Sequence, residues 1–141
     1  MVLDVDIQHD ERARHAEGLG VARFGTSAAV NWCGASGTIV PCAAYSLIDC
    51  PAFADAVYLL IRRVPGGEPT VLAIDVTDTS IATLNLARVR HDGARLGADE
   101  VHVHAVAATR AARIKLRLDL LMALRARNGT ARHDHPTIAA G

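Results

Sequence analysis

The spacing of apolar residues along the chain predicts a hairpin, a helix, a further strand and a long final helix. ADAVYLLIRR (54–63) and TVLAIDV (70–76) are apolar runs of strand-like composition, and VPGGEP (64–69) between them reads as a turn. Apolar residues then recur at Ile81, Leu84, Ala87 and Val89, close to helical spacing, with Asp78 or Ser80 placed to cap the first turn. Gly93 and Gly97 interrupt that pattern before VHVHAVA (101–107), a third strand. In TRAARIKLRLDLLMALRAR (109–127), residues 114–120 alternate apolar and charged as a strand would. The length of the segment and its Ala, Leu and Arg content favour a helix.

The two ends are less regular. Residues 1 to about 37 are punctuated by Gly18, Gly20, Gly25, Gly34 and Gly37 and read as irregular, apart from a short helix over 10–17. GTIVPCAAYSL (37–47) reads as extended, and Pro41, which has no N–H for a ladder, would confine it to a sheet edge. The polar stretch GTARHDHPTIAAG is expected to fray.

Composition narrows the class. With 141 residues there is room for one modest core, and with only Phe24, Trp32, Tyr45, Phe53 and Tyr58 as aromatics that core must be aliphatic. No apolar run approaches the roughly 20 residues that cross a bilayer. The acidic opening MVLDVDIQHD is unlike a signal peptide, so no membrane partner and a cytoplasmic location are expected. Cys33, Cys42 and Cys50 form no CxxC pair and read as reduced, structural thiols. Formal charge is zero, yet ten of the fifteen acids precede residue 80 and ten of the fifteen bases follow it. Arg110, Arg113, Lys115, Arg117, Arg125, Arg127 and Arg132 form a basic stripe that is either a phosphate footprint or the solvated face of a helix.

Three short patterns carry candidate chemistry. RHAE (14–17) followed by Pro41-Cys42 resembles the zinc deaminase signature, but Tyr45 stands where the second Cys belongs and Cys50 lies a turn too far. IDVTDTSIATL (74–84) resembles the phosphoribosyl-diphosphate loop of phosphoribosyltransferases, without the second acid beside Asp75 and without a Gly at the tight turn. His102 with His104, and His133 with His135, have a spacing compatible with metal ligation; a half-exposed strand and a mobile tail account for them as well. Neither a metal nor a cofactor is expected.

From Trp32 to about Leu124 the chain resembles a bacterial subgroup of GIY-YIG nuclease domains. WCGASGTIVPCAAYSL (32–47) is similar to the subgroup's lead-in, AVYLLIRR (56–63) stands for the GIY strand and VLAIDVTD (71–78) for the YIG strand. LGADEVHVHAVAATRAARIKLRLDL (96–120) is similar to the following GATHVHVH and AR..IE.DL segment. The resemblance implies an α/β (α+β) fold with a small central three-stranded, mainly antiparallel sheet flanked by helices. It divides the chain into an irregular segment 1–31, a GIY-YIG-like domain 32–127 and a flexible tail 128–141.

It also implies that the catalytic set is degraded. The first family Tyr falls on Tyr58, the second on Ala73, the helix Arg near Thr83 and the metal-binding Glu on Arg117. A guanidinium cannot ligate Mg²⁺, which takes oxygen donors, so the expected activity is binding without cutting. Nucleic acid held by Arg110, Arg113 and Arg117 is the first expectation, and a protein-interaction or self-assembly domain is the second. A small enzyme of the phosphoribosyltransferase kind is the third.

Overall fold

The structure is a computed structural model that describes residues 28–107 and 109–134, the last six of these by backbone alone. Five strands form one antiparallel sheet in the order β1-β2-β5-β3-β4: β1 Ala28–Cys33, β2 Ile39–Ser46, β3 Val57–Arg62, β4 Thr70–Val76 and β5 Glu100–His104. Helix α1, Ala82–Leu96, lies on one face, and α2, Arg110–Asp134, on the other.

The expected three-stranded sheet is therefore corrected to five. The three strands counted from the sequence occupy the β5-β3-β4 side, while the segment read as extended over 37–47 forms β2, which with β1 extends the sheet beyond β5. β1 (AAVNWC) lies in a stretch that reads as irregular; its inward residues, Val30 and Trp32, are only two, flanked by small side chains. Pro41 does not mark a sheet edge either, because β2 is flanked by β1 and β5. The β2-β5 ladder runs only from Ala43 to Ser46, so β5 has ended where Pro41 would need a donor. The Pro41 carbonyl instead accepts the Nδ1–H of His104 at 2.7 Å.

Alternation in β3 builds both cores. Val57, Leu59 and Ile61 face α2 with Val30, Trp32, Val40, Ile74 and Leu120, while Tyr58 and Leu60 face α1 with Val89, Val101 and Val103. The register of β4 shifts between Leu60 and Ile61, so that Leu72 and Ala73 both join the α1 side. α1 begins without a side-chain cap, runs through Gly93 and ends on Gly97 in the left-handed region (φ 81°). A Cβ at Gly93 would lie 2.7 Å from Leu47 Cδ1, so glycine here permits close helix–loop packing.

Polar anchors fix the loops to these layers. Asn85, buried on α1, donates through Nδ2 to the carbonyls of Phe53, Ala54 and Thr79 at 2.9, 3.2 and 2.9 Å. On the other face, Asp119 of α2 accepts Ser36 N–H at 2.9 Å and Ser36 Oγ–H at 2.8 Å, clasping the β1-β2 turn to the helix. Gly34 makes room for that carboxylate, since a Cβ there would sit 1.9 Å from Asp119 Oδ2.

Candidate functional site

Tyr58 stands opposite Asp75 in the β3-β4 ladder, on the α1 face. Its ring is buried and meets Phe53 edge-on at 6.2 Å. Burial first, then the carboxylates of Asp75, Asp92 and Asp78, push the phenol up to about 12, with Arg88 opposing them. No hydrogen bond links the hydroxyl to another described residue. Arg88 gathers the acids: it pairs with Asp78, and lies 3.7 Å from Asp75 and 3.5 Å from Asp92. This arginine, not the neighbourhood of Thr83, faces Tyr58; Thr83 is exposed in the first turn of α1. Ala73 packs diagonally from Tyr58 as an apolar neighbour.

Arg117 approaches the same strand from the opposite layer. Its Nε donates to the Ile74 carbonyl at 2.8 Å and lies 3.6 Å from Asp75 Oδ1. Asp75 thus stands between two guanidiniums, Arg88 from α1 and Arg117 from α2. The neighbouring basic residues bind backbone in the same way: Arg110 donates to Thr77 O at 3.1 Å, and Arg113, buried, donates to Ala107 O at 3.2 Å with Asp55 at 3.8 Å. The three arginines that the sequence offers as a phosphate footprint each grip a main-chain carbonyl. Arg110 and Arg117 hold β4, an edge strand, and the loop after it.

The remaining candidates separate. His102 is buried in a chain of contacts. Its Nδ1 accepts Trp32 Nε1–H at 3.0 Å, which places the ring proton on Nε2 facing Glu100 at 3.0 Å, and Glu100 meets Arg63 at 2.6 Å. Burial alone would raise the Glu100 carboxyl, but hydrogen bonds from His102 and Arg63 outweigh it and hold it down at about 2. Cys42 and Cys50 are packed on opposite faces of the sheet, with burial raising their thiols to about 12 and about 11. Among the described residues no group of three or more His, Cys, Asp or Glu side chains is placed to hold a metal ion. RHAE (14–17) and His135 lie outside the described residues, as does the side chain of His133. In the 74–84 segment the Thr77 and Ile81 amides already bond Ala56 O and Thr79 Oγ1.

Sequence reasoning misses an outward apolar stripe on α2. Ile114, Leu118 and Met122, at i, i+4 and i+8 on α2, are 38, 51 and 57% exposed. Beside them runs a groove of ≈ 510 Å³ between the helix and the β1-β2 turn, its walls Ala112, Leu116, Leu118 and Met122. Ser36, Thr38, Lys115 and Asp119 supply its polar lining. The signal was present: in a helix, residues two apart point to nearly opposite sides. The alternation Ile114, Leu116, Leu118, Leu120 is therefore two apolar stripes, one against the sheet and one outward.

Among the described residues no helix is long and apolar enough to cross a membrane. No protein-family model, no curated protein and no solved structure matches the chain, so the likeness to GIY-YIG domains rests on the quoted residues alone.

Proposed function

We propose that this chain is a binding domain that does not cut DNA, and that it works by accepting an amphipathic helix in the groove along α2. The observation that carries this reading is the outward stripe Ile114, Leu118 and Met122 beside an apolar groove of ≈ 510 Å³. Helix-in-groove recognition uses apolar anchors at i, i+3, i+4 and i+7 against such a trough. Lys115 flanks the stripe and favours a ligand helix carrying an acid beside its apolar face. The substitutions at the family's catalytic positions, Ala73 and Arg117, support a role without hydrolysis. Three free thiols support a reducing compartment such as the cytoplasm.

The test is fluorescence anisotropy with a labelled, acid-flanked amphipathic helical peptide carrying Leu at helical spacing. Saturable binding that Leu118→Asp abolishes is expected, with the far-ultraviolet spectrum unchanged. Peptide binding indifferent to Leu118→Asp, or a labelled DNA duplex bound with a steep loss on adding salt, would replace this reading with another.

A further inference from the structure

We infer that the helix received by this groove is α2 of a second copy, so that the domain pairs with itself through an isologous, antiparallel α2-α2 contact. The inference names the partner for the docking role proposed above. Ile114 and Met122 lie four residues either side of Leu118. A two-fold axis passing beside Leu118 therefore sets Ile114 of one copy against Met122 of the other, twice. The same symmetry brings Ala111 opposite Arg125, so that the small residue makes room for the long one. Lys115 lies on the same flank of α2 as Asp119, four residues before it, and the two-fold sets the equivalent flanks of the two copies side by side, so its ammonium faces Asp119 of the second copy. No cation then faces a cation, although the exposed side of the helix is basic on the whole.

Asp119 remains able to accept such a contact. Its two oxygens take hydrogen bonds from Ser36, and a carboxylate has about four lone-pair sites. The groove gives Leu118 and Met122 of the second copy a recess to enter, because the β1-β2 turn rises beside the helix as its other wall. The turn is held there by Asp119 and by Ala35 N–H on the Asp119 carbonyl at 3.1 Å. Knob and recess belong to one surface, as self-pairing requires.

The experiment is light scattering of the full chain over a wide micromolar concentration series, with Leu118→Asp, Met122→Glu and Lys115→Glu compared at matched circular dichroism. The expected result is a dimer mass for the wild type and a monomer for Leu118→Asp and Met122→Glu. Lys115→Glu, which sets an acid against Asp119 of the second copy, should weaken dimerisation roughly tenfold, and salt should restore part of the loss. A dimer that survives both apolar-stripe substitutions overturns the inference, because the contact then lies elsewhere. A wild type that stays monomeric throughout also overturns it. In that case the labelled peptide separates the two ideas: binding that depends on Leu118 leaves the docking role standing with a foreign helix as its ligand, and no binding ends both.

Discussion

Replacing Arg117 by Glu puts at that position the residue type that the resemblance to GIY-YIG nucleases implies for a metal ligand, and it should yield a less stable protein with no nuclease activity. The guanidinium donates a charge-assisted hydrogen bond to Ile74 O at 2.8 Å, and removing such a bond costs about 1.5–3 kcal/mol. Its ion pair with Asp75 spans 3.6 Å between side chains 35 and 37% exposed, and at that exposure contributes about 1 kcal/mol at most. Arg117→Ala should therefore lose about 2 kcal/mol. Arg117→Glu adds a carboxylate beside Asp75, where two like charges about 4 Å apart in water repel by about 1 kcal/mol, for a total near 3 kcal/mol. Urea unfolding at neutral pH measures both losses, and the extra cost of Glu over Ala should shrink in high salt. Supercoiled plasmid with Mg²⁺ measures the chemistry. Arg117→Glu within about 0.5 kcal/mol of wild type would refute the clamp, and Mg²⁺-dependent nicking would refute the proposed role without hydrolysis.

Three smaller perturbations probe the scaffold. Asn85→Asp turns an amide donor into a carboxylate facing the carbonyls of Phe53, Ala54 and Thr79, and should cost more than about 3 kcal/mol, against about 1–3 for Asn85→Ala; thermal melts in which Asp is no worse than Ala would contradict this. The folded-state pKa of Glu100 is depressed from its ordinary value of 4.5 to about 2, so its stabilising contribution is complete above the ordinary value and fades as pH falls through the folded one. The stability gap between wild type and Glu100→Gln should therefore be constant near neutrality and narrow on acidification below about 4.5, whereas a gap independent of pH would rule the network out as its source. Tyr58→Phe should change stability by less than about 0.5 kcal/mol, because the ring stays buried and the hydroxyl lacks a partner among the described residues; a larger loss by calorimetry would show that the hydroxyl is bonded.

What the sequence reveals follows from how strongly each element depends on its own residues. β3 and β4 contain apolar runs long enough to be read directly, β5 alternates Val with His, and α1 carries a helical period. β1 is a strand because β2 pairs with it and because Val30 and Trp32 find a core to enter, neither of which its six residues announce. Pro41 reads as an edge residue because sequence cannot show that the β2-β5 ladder stops two residues short of it. α2 runs to Asp134, past the expected end at 127, through Gly129 and Thr130, whose composition reads as tail. Arg88, which gathers Asp75, Asp78 and Asp92 beside Tyr58, is not singled out by the sequence, because which helix residue meets that strand depends on how α1 packs on the sheet. The basic stripe is legible as charge, but its grip on the carbonyls of Ile74, Thr77 and Ala107 depends on which side of the sheet α2 crosses.

Those grips bear on the docking role. A helix with apolar stripes on opposite sides can satisfy only one of them on its own sheet, and Leu116, Leu120 and Leu124 have taken that place. Had the outward side only to meet water, polar residues at 114, 118 and 122 would keep the helix and avoid association. Meanwhile α2 is fastened at three points along its first ten residues, through Arg110 to Thr77, Arg117 to Ile74 and Asp119 to Ser36. A surface held this firmly loses little conformational freedom when a partner arrives, which raises affinity without adding contacts. The fastening residues therefore direct the helix, and loosening one should weaken docking from a distance. Arg110→Ala, remote from Leu118 and Met122, should therefore raise the dissociation constant measured by light scattering by a few-fold with little change in fold, and an unchanged constant would mean that the fastening and the docking surface are independent.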